Sequence, residues 1–392
     1  MDPAFPDDVA VPNFASPSLE ARRRRSIAIA IGIGSAVTLV FGVQPILLGG
    51  LTEAGRLTEA DLGRVATAEI LALAVGSAIG PRLLPQVGMR WLTVIGCVLL
   101  VLANLAVGVC ASPVSLYVDR LAAGLCEGFA LSATIFILVY DRAADRVNGL
   151  FLAISTVPQM VAAFILPVYL IPRAGVDAGF YLLGAVALVA ALAALPMEGR
   201  PGGRDAAAAA PIQWSPGLVA GLVAIFLHGA GIGGSWSYLE ALAAEHRITE
   251  QAIGIALAGS LGCQILGASV VAWFGWRTPL SVALVLGSGL QSVIVLALLY
   301  STTAESFVAL AWAFGFFWLA LAPFQIQLML RLDSTRSAAL VLTPLSLVGF
   351  SAGPMIASLA VRPGQVGGGF ILSSVMLVTA GLVYGAIGRR GS

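Results

Sequence analysis

Arg120, Gly124 and Glu127 are spaced i, i+4, i+7 inside an apolar run from Pro113 to Tyr140, so a guanidinium and a carboxyl share one face of a helix. A charged side chain at the centre of a membrane-spanning helix costs roughly 2.5–3.5 kcal/mol on insertion scales, and such residues face a bundle interior or a watered path. Two kinds of chemistry suit this face: proton exchange at Glu127 and a grip on a solute by Arg120. A permanent Arg120–Glu127 ion pair is the structural alternative. Glu69 and His228 join Glu127 as proton-coupling candidates, because each falls near the middle of its own apolar run and low dielectric disfavours the ionised form of a carboxyl. Asp119 points about 100° away from Arg120 around the helix and reads as structural.

A second constellation follows His228, where Gly229, Gly231, Gly233 and Gly234 place four glycines in six residues. Each glycine in a helix interior costs on the order of 1 kcal/mol relative to alanine, so the cluster predicts a bent or partly unwound helix hinged at Gly231, Gly233 and Gly234. Close helix packing through small residues is the competing explanation. Trp236, Tyr238 and Glu240 follow the glycines toward the end of the run and are candidates for contacting a solute or gating it. Gln44, Gln159, Gln264, Gln291, Gln325 and Gln327 add uncharged polar groups in other apolar runs.

The elements that hold these residues follow from composition. The 392 residues are 59% hydrophobic and 10% charged, with a mean hydropathy of +0.96, which describes a polytopic membrane protein. A net charge of +1 with one dense basic run, Arg22 to Arg25, excludes a nucleic-acid partner. All 21 basic residues are Arg. Cys97, Cys110, Cys126 and Cys263 lie in apolar segments without CxxC spacing, so neither a disulfide framework nor a metal site is expected. Residues 1–25 read as a disordered cytoplasmic tail.

A helix needs about 20 residues to cross the hydrocarbon core. Twelve runs meet that length, near 26–51, 60–82, 89–110, 113–140, 146–170, 177–197, 215–241, 249–273, 277–300, 303–330, 336–360 and 366–388. With the N-terminus inside, fifteen Arg fall in cytoplasmic connections and tails, and only Arg56, Arg173, Arg247 and Arg362 fall outside. The one long connection, 198–214, divides the chain into six-helix bundles over 26–197 and 215–388, with a short cytoplasmic tail at 389–392. The halves echo each other: Gly88-Met89-Arg90 recurs as Gly275-Trp276-Arg277, and Gly124 as Gly315.

Twelve helices in a six-plus-six arrangement with cytoplasmic termini resemble the major facilitator superfamily over residues 26 to 388. Between the second and third helices that family carries G-x-L-A-D-R-x-G-R-K. This chain reads Pro81-Arg82-Leu83-Leu84-Pro85-Gln86-Val87-Gly88-Met89-Arg90, keeping Leu83, Gly88 and Arg90 but placing Pro85 at the Asp position. Arg120 and Gly124 match the fourth-helix pattern, in which the Arg serves proton transfer or anionic groups. The fifth-helix G-x-x-x-G-P of drug/proton antiporters is not met by Ser155 to Gln159, although Gly349 to Pro354 has that form on the eleventh helix.

The resemblance implies that helices one, four, seven and ten line a central cavity, which singles out Gln44, Trp312, Trp318 and Gln325 beside Arg120, Trp236, Tyr238 and Glu240. It also implies an all-α protein of twelve transmembrane helices in two pseudo-symmetric bundles. The expected function is secondary transport of a small amphipathic or anionic organic solute by alternating access, coupled to protons as a symporter. An exporter working as a proton antiporter, an uncoupled facilitator and a non-transporting scaffold are the alternatives. An enzyme is not expected, since the sequence shows no Ser/His/Asp set, metal-ligand cluster or phosphate loop. The expected setting is a monomer in the lipid bilayer of a bacterial inner membrane, without cofactor or metal.

Overall fold

The computed structural model describes residues 17–139, 141, 144–197, 212–274, 277–333 and 337–390. Twelve helical spans follow one another: α1 (Glu20–Glu53), α2 (Glu59–Val87), α3 (Met89–Val109), α4 (Pro113–Val139), α5 (Arg146–Ala174), α6 (Val176–Ala194), α7 (Pro216–Ser237), α8 (Glu250–Val271), α9 (Leu280–Leu298), α10 (Ala304–Leu332), α11 (Ser337–Ser358) and α12 (Gly367–Arg389). Eleven are long and apolar enough to cross a bilayer, and α11 contributes a shorter apolar stretch, Pro344–Ser358. Helices are the outcome because each satisfies its backbone donors and acceptors within its own segment, which lipid cannot do.

Several ends differ from the expected ones. The helix Pro17–Val37 leads into the α1 span, so Arg22 to Arg25 are helical rather than part of a tail. Arg23 closes on Asp141 at 2.6 Å and on Glu20 at 3.0 Å, which gives that basic turn a folded role. Residues 1–16 and 198–211, where the rest of the tail and most of the linker fall, lie outside the described residues, as does the Gly275-Trp276 pair.

The two halves repeat one packing scheme at the level of single glycines. Gly124 of α4 lies against the Glu69 carbonyl of α2, and Gly315 of α10 lies against the Ser260 carbonyl of α8. Gly76 faces the Leu125 carbonyl, and Gly267 faces the Phe316 carbonyl. Gly42 of α1 meets Gln159 of α5, while Gly233 of α7 meets Phe350 of α11. Every C-terminal residue in these pairs stands 191 positions after its N-terminal counterpart, so the match between Gly124 and Gly315 extends to their partners. A Cβ at Gly124, Gly233 or Gly315 would overlap a neighbouring backbone oxygen, which is why these crossings take glycine.

Between the halves, α2 packs on α11 and α5 on α8. Hydrogen bonds tie the halves along the end that holds the α1–α2 and α11–α12 connections: Trp236 Nε1 donates to the Phe41 carbonyl at 2.8 Å, Tyr238 Oη to the Glu59 carbonyl at 2.8 Å, the Met355 N–H to Thr67 Oγ1 at 3.0 Å and the Gly364 N–H to Glu59 Oε1 at 3.2 Å. That end, called the far seam below, is shut. It lies opposite the chain termini.

Candidate functional site

The shut seam leaves a cavity of about 350 Å³ between the halves, in the part of the protein nearer the termini. Its ceiling is a set of aromatic rings. Trp318 stacks on Phe350 with centroids 5.3 Å apart and planes at 22°, and meets Trp236 edge-on at 5.5 Å. Phe41 closes the group from α1, 6.2 Å from Phe350. Because the Trp236 indole is hydrogen-bonded to α1, the ceiling belongs to both halves and to the seam above it.

The walls carry hydrogen-bonding groups but no Arg, Asp or Glu among the lining residues: Thr38, Ser155, Thr156 and Gln159 from α1 and α5, and His228, Gln264, Gln325 and Ser346 from α7, α8, α10 and α11. Both ring nitrogens of His228 and the Gln264 amide nitrogen lack protein partners among the described residues. Gln325 is held by Tyr384 of α12 through a 3.2 Å bond from its amide nitrogen. Stacking planes, amides and an imidazole edge recognise a flat, polar-edged molecule.

The charged cluster sits elsewhere. Arg120 is fully buried, and its Nη1 donates to Glu69 Oε1 at 3.1 Å and to Asn104 Oδ1 at 3.1 Å. Its Nε and Nη2 both reach Asp119 Oδ2, at 3.0 and 2.8 Å, and the guanidinium lies 4.9 Å from the Phe180 ring centroid. These partners come from α2, α3, α4 and α6, so Arg120 points into the N-terminal half and not into the cavity. The alternative of a permanent Arg120–Glu127 ion pair is not what forms. Side chains on a helix lean toward its N-terminus, which carries the Arg120 head away from Glu127, and the close crossing at Gly124 brings Glu69 within reach instead. Asp119 is accordingly an ion-pair partner of Arg120, not a residue turned away from it.

Glu127 is 3% exposed, and its Oε2 has no hydrogen-bond partner among the described residues. Gln44 links the cluster to the seam, donating to Glu69 Oε2 at 3.3 Å while its Oε1 stands 3.5 Å from Ser237 Oγ of α7. Three carboxyls and one guanidinium thus adjoin an amide that touches the opposite half.

Of the residues singled out from sequence, Gln159, His228, Gln264, Trp318 and Gln325 line the cavity. Gln44, Trp236, Tyr238 and Glu240 belong to the seam. Trp312 belongs to neither: its indole donates to the Ile255 carbonyl of α8 at 3.0 Å, and the side chain is 40% exposed on the outside of the bundle. Helix α4 lines none of the cavity, whereas α5, α8 and α11 do. The expected unwinding at Gly231, Gly233 and Gly234 is also absent, since α7 runs unbroken from Pro216 to Ser237 and its break falls at Tyr238. Those glycines receive Leu377 of α12, Phe350 of α11 and Ser373 of α12 respectively, so they act as packing notches. Phe41, Phe151 and Phe350 are the cavity residues that pattern alone had no means of separating from core.

The architecture is shared with solved transporters. The chain matches a mutant form of the nucleoside transporter NupG with a TM-score of 0.78 and 12% identity, covering 93% of this chain and 99% of that one. A bacterial homolog of the human lysosomal transporter Spinster, inward-facing and unoccupied, matches with a TM-score of 0.70 and 15% identity over 96% and 98% of the two chains. A structure from the proton-dependent oligopeptide transporters matches at 0.68 and 11% identity over 94% and 100%. No family model and no curated protein matches the sequence. The chain is a multi-pass membrane protein with the fold of major facilitator superfamily transporters. Among the described residues no group of His, Cys, Asp or Glu is placed to hold a metal.

Proposed function

We propose that this protein is a proton-coupled secondary transporter of an uncharged, amphipathic solute with a flat heterocyclic ring. The observation that carries this reading is the cavity itself: an aromatic ceiling over amides, hydroxyls and His228, shut at one end and directed toward the other. An anionic solute, the other half of the original expectation, would find no Arg there, because Arg120 is committed to Glu69 and Asp119. The fold shared with a nucleoside transporter supports the same class, a nucleoside being a neutral ring with polar edges.

Coupling falls to the buried cluster. The one guanidinium is taken by Glu69 and Asp119, so an ionised Glu127 would be uncompensated negative charge at depth, and an exchangeable proton on Glu127 relieves it. Gln44 gives that proton a mechanical consequence, because it joins Glu69 to α7 across the seam. The site alternates as the halves rock, with the present conformation open to the side of the termini. The Arg asymmetry of the connections supports a cytoplasmic placement for that side and for the 198–214 linker.

The purified protein in liposomes tests the substrate class. Saturable uptake of uridine, with neither benzoate nor a tetraalkylammonium ion carried, is the expected result. Uptake confined to the anion would overturn the assignment of a neutral solute.

A further inference from the structure

Glu240 stands on the short helix Leu239–Glu245 that follows the break at Tyr238, and it is 6% exposed. Its Oε2 has no hydrogen-bond partner among the described residues. The carboxyl occupies a notch made by Gly49 of α1, where a Cβ would overlap Oε2. Gly49 and Glu240 are themselves 191 positions apart, the same offset that relates the glycine crossings of the two halves. They are therefore equivalent positions that meet each other on the pseudo-symmetry axis. Any rocking that opens the far seam must pull them apart.

Glu240 shares its segment with Tyr238, Glu245, His246 and Arg247, and Glu53 of α1 and Glu250 of α8 stand at the same end. Glu53 of α1 is the charged neighbour that acts on it, and Glu53 is acted on in turn by Glu250 at the start of α8. Glu53 and Glu250 are exposed at the far surface. Tyr238 of the same segment has its hydroxyl committed to the Glu59 carbonyl. No cation is hydrogen-bonded to Glu240 Oε2 among the described residues. An ionised carboxylate shut into this notch would lose its water and gain neither donor nor counter-charge, so the closed notch suits the neutral carboxyl.

We propose that Glu240 is a second proton-binding site, separate from the cluster around Arg120, which carries its proton while the far seam is shut and gives it up when the seam opens. Glu53 and Glu250 form the surface end of the route by which that proton exchanges with water. The ligand is the proton alone: it binds a carboxylate oxygen of Glu240 from the far side and returns there. This inference rests on the alternating-access reading above but on no particular solute.

The test measures the seam directly. Spin labels at Ala54→Cys and Gln251→Cys, both exposed at the far end, report its width by pulsed dipolar spectroscopy in lipid nanodiscs without solute, after Cys97, Cys110, Cys126 and Cys263 are replaced by Ala. At pH 5 a short separation should dominate, and at pH 8 a longer one should grow. Glu240→Gln should hold the short separation at both values. Gly49→Ala, which fills the notch, should favour the long separation at both. A Glu240→Gln protein that widens with pH as the parent does, a parent that does not respond to pH, or a Gly49→Ala seam that closes normally would each overturn the proposal. If Glu127→Gln alone abolishes the response, the proton acts through the N-terminal cluster and the transporter reading stands without Glu240. Absence of flux from a protein whose seam still answers to Glu240 would instead count against the transport reading.

Discussion

Arg120→Ala is expected to destabilise the protein by about 3–5 kcal/mol, the range for removing one partner of a buried ion pair. The loss is large because Glu69, 2% exposed, would keep its burial without its counter-charge, while Asp119 and the Asn104 side-chain carbonyl would each lose a donor. Arg120→Lys should fall between the parent and Ala, since an ammonium cannot present the forked donors that reach Asp119 and Glu69 together. Thermal unfolding in detergent, with far-UV circular dichroism as readout, checks both. A melting curve for Arg120→Ala that superimposes on the parent's would show that the cluster is not what holds α2, α3 and α4 in register.

Trp318→Ala is expected to weaken solute binding by about 2–3 kcal/mol, roughly 30- to 150-fold, as the loss of a buried aromatic anchor does. The indole is part of the ceiling, stacked on Phe350 and met edge-on by Trp236, so its removal also loosens the rings that separate cavity from seam. Trp318→Phe should recover most of the affinity, because it restores a plane without the indole N–H. Trp312→Ala supplies the control: six residues earlier on α10 but facing outward, it should leave affinity unchanged. Equal losses at both positions would mean that the ceiling is not where the solute stacks.

The spans and their number were legible because they depend on a quantity a chain carries within itself, the length of its apolar runs. Gly124 and Gly315 were legible as counterparts, and the structure extends the same offset to the residues they touch. Which charge Arg120 meets was not legible. Helical spacing places Glu127 on its face, but it says nothing of the crossing at Gly124 that delivers Glu69, or of the lean that turns the guanidinium toward Asp119.

The glycines of α7 show the same limit from the other side. A run of small residues reads equally as a hinge or as a seat for another backbone, and only the positions of Phe350, Ser373 and Leu377 decide for the seat. The break comes at Tyr238 instead, a residue that pattern marked only as a possible solute contact. The cavity phenyls were hidden for a related reason. Phe41, Phe151 and Phe350 have the composition of any core, and what distinguishes them is that the two halves stop short of each other there.

The central claim is that a proton on the buried cluster drives solute through this cavity, and Glu127→Gln tests it most directly. Protein in liposomes is given an inwardly directed proton gradient, acid outside, and accumulation of the solute that the uptake screen selects is followed with and without a protonophore. The parent should concentrate solute above equilibrium until the protonophore is added. Glu127→Gln should equilibrate and exchange solute at the parent's rate yet fail to concentrate it. Proton-driven accumulation left intact in Glu127→Gln would contradict the account.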